Sequence, residues 1–241
     1  RQMCIRDRIV DVWQAAGDPE QVRNARAEFV ASYSQDSAYA ALTGEQKNKW
    51  LSYSKRLADY HYDLATRLVE QGRVAKAESA FAEAAVYYAH LAPRIDQSGE
   101  MLRLAGDAWL QARDFPKALT NFRRAAYESP GYSEAADAAW AAIALLRNSL
   151  DRPTTVSAFQ PELKDVSNEA NRFSGRFEGD SRIPGLMADL AARWLAAGDH
   201  QLALDYGSRV LTAPTASPAE RYAAWQVMAR IRQEEGDYGL A

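Results

Sequence analysis

Three histidines, His61, His90 and His200, stand far apart along the chain. His61 lies between Asp59 and Asp63, a spacing that invites a metal-site reading. On a helix a two-residue step turns about 200°, so His61 faces away from both carboxylates. No His-x-x-x-His pair, phosphate-binding glycine loop, Gly-x-Ser-x-Gly elbow or calcium loop occurs. The single cysteine, Cys4, excludes a thiolate zinc cluster and an internal disulfide. Glu234-Glu235 reads as solvated surface at a helix end. These residues point away from catalysis, and neither a cofactor nor a metal is expected.

Two further groups could serve binding. Lys47, Lys49, Lys55 and Arg56 interleave with Trp50 and Tyr53, a pattern that could stack single-stranded nucleic acid. A formal charge of −3 and a pI near 5.7 favour a solvated helix face with its rings in the core. Tyr53, Tyr60, Tyr62, Tyr87 and Tyr88 fit either core packing or a partner surface.

The elements that carry these residues are helices. Ala occurs 46 times in 241 residues, against 13 Gly and 9 Pro, the balance of an all-α protein. No apolar run approaches the ~18–20 residues that span a bilayer. Residues 1–8, Arg1-Gln2-Met3-Cys4-Ile5-Arg6-Asp7-Arg8, match in order the translation of a transposase adapter used in sequencing libraries. They are therefore expected to stand outside the fold, leaving a cysteine-free remainder, 9–241, of formal charge −5.

One short phrase recurs: Gly17-Asp18-Pro19, Gly72-Arg73-Val74, Arg113-Asp114-Phe115, Gly198-Asp199-His200 and Gly236-Asp237-Tyr238. All but the first carry Ala three positions after the last residue, at Ala77, Ala118, Ala203 and Ala241. Gly before Asp is a helix stop followed by the next helix's N-cap, the tight turn of a helical hairpin. Thr43, with Gln46 at the capping-box position, opens a long helix from about Gly44 to Gln71. Ser133 caps a helix over about 134–148. Pro161 opens another, with Leu163, Val166, Phe173 and Phe177 on one stripe. The connection 149–160, centred on Asp151-Arg152-Pro153, is expected to be the most exposed and mobile.

On these residues the chain resembles the tetratricopeptide repeat family. In the best copy, Gly99 to Gly131, Gly106 and Trp109 match the first helix, Ala118, Phe122 and Ala125 the second, and Pro130 the end. Repeat-like units fall near 9–35, 44–93, 99–131, 133–178, 184–214 and 222–241. The resemblance implies a right-handed α-solenoid of antiparallel helix pairs, about ten helices in all, with Phe81, Trp109, Phe122 and Trp194 buried. It also implies a non-enzymatic scaffold or adaptor binding a protein or peptide, not nucleic acid, in its concave groove. Groove positions carried over from the family include Asp59 and Glu100, and the candidates Tyr62, Thr66, Arg103, Asp107, Gln226 and Arg230. Only Arg103 and Arg230 could serve a carboxylate clamp, so the mixed charge of Arg103 and Asp107 suits an extended polypeptide instead. The Ala-rich, cysteine-free character is similar to bacterial envelope repeat proteins, which implies the periplasm or cell envelope over the cytoplasm. A second reading is the helical superstructure of a larger enzyme, as in soluble lytic transglycosylases. A stripe of Trp225, Met228 and Ile231 is expected to be half covered, as in a fragment of a longer bacterial protein.

Overall fold

The turn phrase sets the joints of the molecule. The computed structural model describes residues 2–152 and 159–236, and among them are twelve α-helices, one short 3-10 helix and no strand. The five positions of the turn phrase follow one rule. Gly17, Gly72, Gly198 and Gly236 adopt φ of 71°, 71°, 81° and 78°, and Arg113 stands in the same left-handed region at 61°. At four of these joints the same pair of backbone bonds closes the helix: Gly17, Gly72, Arg113 and Gly198 donate to Gln14, Val69, Leu110 and Leu195. The following residues, Asp18, Arg73, Asp114 and Asp199, donate to Trp13, Leu68, Trp109 and Trp194. That is the Schellman closure, which satisfies carbonyls a helix end would otherwise leave unpaired. Asp18, Asp114 and Asp199 then accept amides of the next helix: Glu20 and Gln21, Lys117, and Leu202. Two residues thus end one helix and begin another.

The chain forms two compact units, Arg1–Ala139 and Trp140–Ala241. In the first, α1 (Gln2–Ala16) runs through the adapter-like residues and packs on α2 (Pro19–Ser32). The short α3 (Asp36–Ala40) follows, then α4 (Gly44–Glu70), α5 (Val74–Leu91) and a 3-10 turn, Ala92–Arg94. Next come α6 (Ser98–Gln111) and α7 (Phe115–Tyr127). The helix α8 (Ala135–Asp151) begins in this unit and ends in the next. Contacts run mostly between sequential neighbours: α4 on α5, α5 on α6 and α6 on α7, with α2 also on α4. In the second unit, α9 (Leu163–Arg176), α10 (Ile183–Ala196), α11 (His200–Thr212) and α12 (Pro218–Glu234) pack in turn, and α10 also meets α12.

Twelve helices exceed the ten expected chiefly because α3 forms in the α2–α4 connection. It is tied down by Arg94, whose guanidinium lies 4.8 Å from the ring centres of both Tyr39 and Trp50. The same side chain donates to the Ser34 carbonyl, Asp36 and the His90 carbonyl. The long helix α4 starts behind the expected Thr43–Gln46 capping box. Small residues let α4 and α5 approach closely: Ala58, Ala65, Ala77 and Ala84 are all buried, with Phe81 and Leu68 between them. Gly106 works the same way, since a Cβ there would stand 2.5 Å from two atoms of the Phe122 ring.

Several expectations need correction. Phe81, Trp109 and Phe122 are buried, but Trp194 is only half-buried. Its indole N–H donates to the Ser167 hydroxyl at 2.9 Å, and a ring seeking that partner at a helix end stays near the rim. Helix α8 begins at Ala135 and reaches Asp151, and α9 begins at Leu163, where Glu162 and Asp165 build a capping box. In α9 Val166, Ala170 and Phe173 are buried, while Leu163 and Phe177, at the two ends of the helix, are half-buried. Helix α12 begins four residues before Tyr222, because Ser217 and Glu220 form their own capping box. Its inward stripe is Ala224, Val227 and Ile231, so Trp225, 100° round from Ala224, is 53% exposed. Residues 153–158 of the expected mobile connection, and Asp237 to Ala241, lie outside the described residues.

Candidate functional site

A cleft of the first unit forms where α6 meets the α7–α8 connection. Helix α6 supplies Glu100, Arg103 and Asp107, one face at steps of three and four residues. Pro130-Gly131 ends the preceding helix pair, Gly131 turning with φ 75°, and this swings Tyr132 over α6. Gly99 makes the approach possible: a Cβ there would lie 2.4 Å from Cγ of Tyr132. The resulting cleft encloses ≈ 790 Å³. Asp96, Glu100, Asp107, Glu134 and Asp137 line it, against one base, Arg103.

Arg103 Nε donates to Asp107 Oδ2 at 3.1 Å. Burial pushes the Asp107 carboxyl up, and Arg103 opposes it without cancelling it. Burial, helped by Glu134, pushes the Tyr132 phenol up to about 12, so it remains an O–H; it donates to Glu134 Oε2 at 3.4 Å. Tyr62 is raised first by burial and then by the Asp107 carboxylate, which places it within the electrostatic reach of the cleft. Its ring meets Phe81 edge-on at 5.2 Å. The arrangement offers an acidic wall, an aromatic face and the Arg103–Asp107 ion pair.

Of the six candidate groove residues, Arg103 and Asp107 come together in this cleft, and Tyr62 stands near them. Thr66 is exposed and its hydroxyl donates to the Tyr62 carbonyl. Gln226 and Arg230 are exposed on α12 of the second unit, where Arg230 pairs with Glu234 at 2.6 Å. Asp59 is bound to Lys55 and to the Tyr88 hydroxyl. Sequence reasoning missed Tyr132, Glu134 and Asp137, which lie between repeats; the available signal was Pro130-Gly131, which turns the chain back across α6.

The tyrosine-rich stretch divides. Tyr53 and Tyr88 are core residues, whereas Tyr60, Tyr62 and Tyr87 are half-buried. Trp50 is wholly buried, and Lys49 and Lys55 pair with Glu45 and Asp59, as a solvated face with inward rings requires. His61 faces neither neighbouring aspartate. It stacks on Tyr87 at 5.8 Å, and its Nδ1 lies 2.8 Å from Glu83 Oε2 but out of hydrogen-bonding alignment. Glu234 is no isolated surface acid, since Arg230 and His200 both meet it. Among the described residues no group of three or more His, Cys, Asp or Glu could hold a metal ion, and no helix is long and apolar enough to cross a membrane.

No family model matches this chain, and no curated protein matches it.

Proposed function

We propose that this chain is a non-enzymatic helical-repeat scaffold of the tetratricopeptide type, a right-handed solenoid of antiparallel pairs that binds a polypeptide along α6. The repeated Schellman-and-aspartate joint and the packing of sequential helices support the architecture. One observation carries the function: a ≈ 790 Å³ cleft with five carboxylates, one already paired guanidinium and the Tyr132 ring. That composition selects a segment with Lys or Arg, whose cation gains from the field and from the aromatic face. The mixed charge expected of Arg103 and Asp107 thus becomes a net acidic groove, because the connecting residues add Glu134 and Asp137.

An array of short peptides of varied charge, probed with the full chain, tests this reading. Lys- and Arg-containing peptides should bind, and Glu100→Lys with Glu134→Lys, both exposed positions, should abolish that binding at unchanged helicity. Equal binding of acidic and basic peptides, unaffected by the charge reversals, would overturn it.

A further inference from the structure

A second concavity of the first unit is a furrow between α2 and α5, which both pack on α4. Helix α5 supplies Glu83, Val86, Tyr87 and His90, one face at steps of three and four residues. Helix α2 supplies the facing apolar wall, Val30 and Ala31. At one end Arg94 ties the two walls together. It donates to the carbonyls of Ser34 and His90, which both line the furrow, at 2.7 and 2.6 Å. Its charge is met there by Asp36 at 2.9 Å, and its own side chain is buried. Two helical turns away, about 10 Å along α5, stands Glu83, whose side chain is 56% exposed. His61 lies beside it and stacks on Tyr87 at 5.8 Å. Burial holds that imidazole below its ordinary value, with Arg23 adding to this and Glu83 opposing it, so it carries no charge near neutral pH. Burial lowers His90 as well, with Arg94 adding to this, and burial with Glu83 pushes the Tyr87 phenol up. Of the groups lining the furrow, only Glu83 is then charged.

We propose that the α2–α5 furrow binds a small organic ammonium ion, its cation on Glu83 and its apolar body against Val30, Val86 and Tyr87. An apolar concavity with one charged group selects a ligand of that kind, held by its buried area and oriented by its charge. The ring of Tyr87 adds a face that favours a cation over a neutral group. A ligand carboxylate would be repelled by Glu83, and an uncharged ligand would cover that carboxylate without pairing it. The furrow encloses ≈ 280 Å³, just below the roughly 300 Å³ at which pockets for drug-sized ligands begin, so it takes a body of about one ring. It shares no residue with the α6 cleft and does not depend on what that cleft binds.

The test uses the full chain with its valine methyls labelled in 13C, titrated near neutral pH and at constant ionic strength with benzylamine, benzyl alcohol and benzoate. The Val30 and Val86 methyl signals should shift saturably with benzylamine, while those of Val69, exposed at the far end of α4, should stay in place. Benzyl alcohol, the same body without the charge, should bind about fivefold more weakly, the loss of one half-exposed ion pair, and benzoate should not saturate. Glu83→Gln, at an exposed position, should bring benzylamine down to the affinity of benzyl alcohol. Ala31→Phe, also at an exposed position, should fill the furrow and abolish the response at unchanged helicity. Glu100→Lys, in the α6 cleft, should leave it unchanged. Equal affinity for benzylamine and benzyl alcohol, or indifference to Glu83→Gln, would overturn the site, as would a response that survives Ala31→Phe or is lost with Glu100→Lys.

Discussion

Arg113 occupies the position that glycine holds at the other helix joints, and Arg113→Gly is expected to stabilise the protein. Its φ of 61° crowds Cβ against the following carbonyl, a cost of about 1–2 kcal/mol for a residue with a side chain. The side chain is exposed, and no hydrogen bond or ion pair of its own is found among the described residues. Removing it therefore forfeits no contact. Glycine gives back part of the gain, about 0.5–1 kcal/mol, through the greater freedom of the unfolded chain. The net expectation is a stabilisation of about 0.5–1 kcal/mol, or about 1–4 °C in Tm for a chain of this size. Urea unfolding followed by helix ellipticity should show a higher midpoint at an unchanged slope. The reciprocal change, Gly198→Ala, at φ 81° with no atom within 4 Å of the added Cβ, isolates the backbone term and should cost about 1 kcal/mol. If Arg113→Gly lowers the midpoint while Gly198→Ala is neutral, the joints do not share one strained conformation and the reasoning fails.

Gly106→Ala should cost about 1–3 kcal/mol in urea unfolding, because the new methyl meets a Phe122 ring that is 1% exposed and cannot retreat. Gly99→Ala meets Tyr132 instead, a half-buried ring on a connection; it should cost less stability than Gly106→Ala and alter peptide affinity in the array assay more. Arg94→Ala should cost about 2–3 kcal/mol by removing the cation between Tyr39 and Trp50 and its charge-assisted bonds, read as a loss of thermal stability. His61 is held below its ordinary value of 6.5 by burial, with Arg23 adding to this and Glu83 opposing it, and burial with Arg94 lowers His90. Below that value the unfolded chain binds protons that the folded chain does not, so stability should be insensitive to these histidines above pH 7. It should fall as pH drops below about 6.5 toward their folded values. His61→Gln should flatten part of that fall in Tm measured between pH 7.5 and 5.5, and an unchanged slope would count against the burial argument.

How much of this was legible beforehand depends on how local the cause is. Thr43 and Gln46 sit three residues apart and build their capping box wherever the chain places them, so the start of α4 could be read directly. Asp114 and Asp199 cap their helices for the same reason, and Gly106 against Phe122 followed from the size of a hydrogen. Trp225 and Trp194 were misplaced because a repeat pattern names a slot without fixing the helix phase. On α12 the phase is set one residue away by Ala224, Val227 and Ile231, and Trp194 is drawn to a serine 27 positions earlier.

The sequence alone therefore determined the helices, their joints and the small-residue contacts, since each depends on residues within a turn or two of one another or on the volume of a single side chain. Tertiary structure alone decided the charge of the cleft. That charge depends on the field where separate segments meet, since Glu134 and Asp137 follow α7 while Glu100 and Arg103 precede it, with no local rule linking them. Desolvation and Coulomb interaction act through space, so a pattern read along the chain cannot contain them.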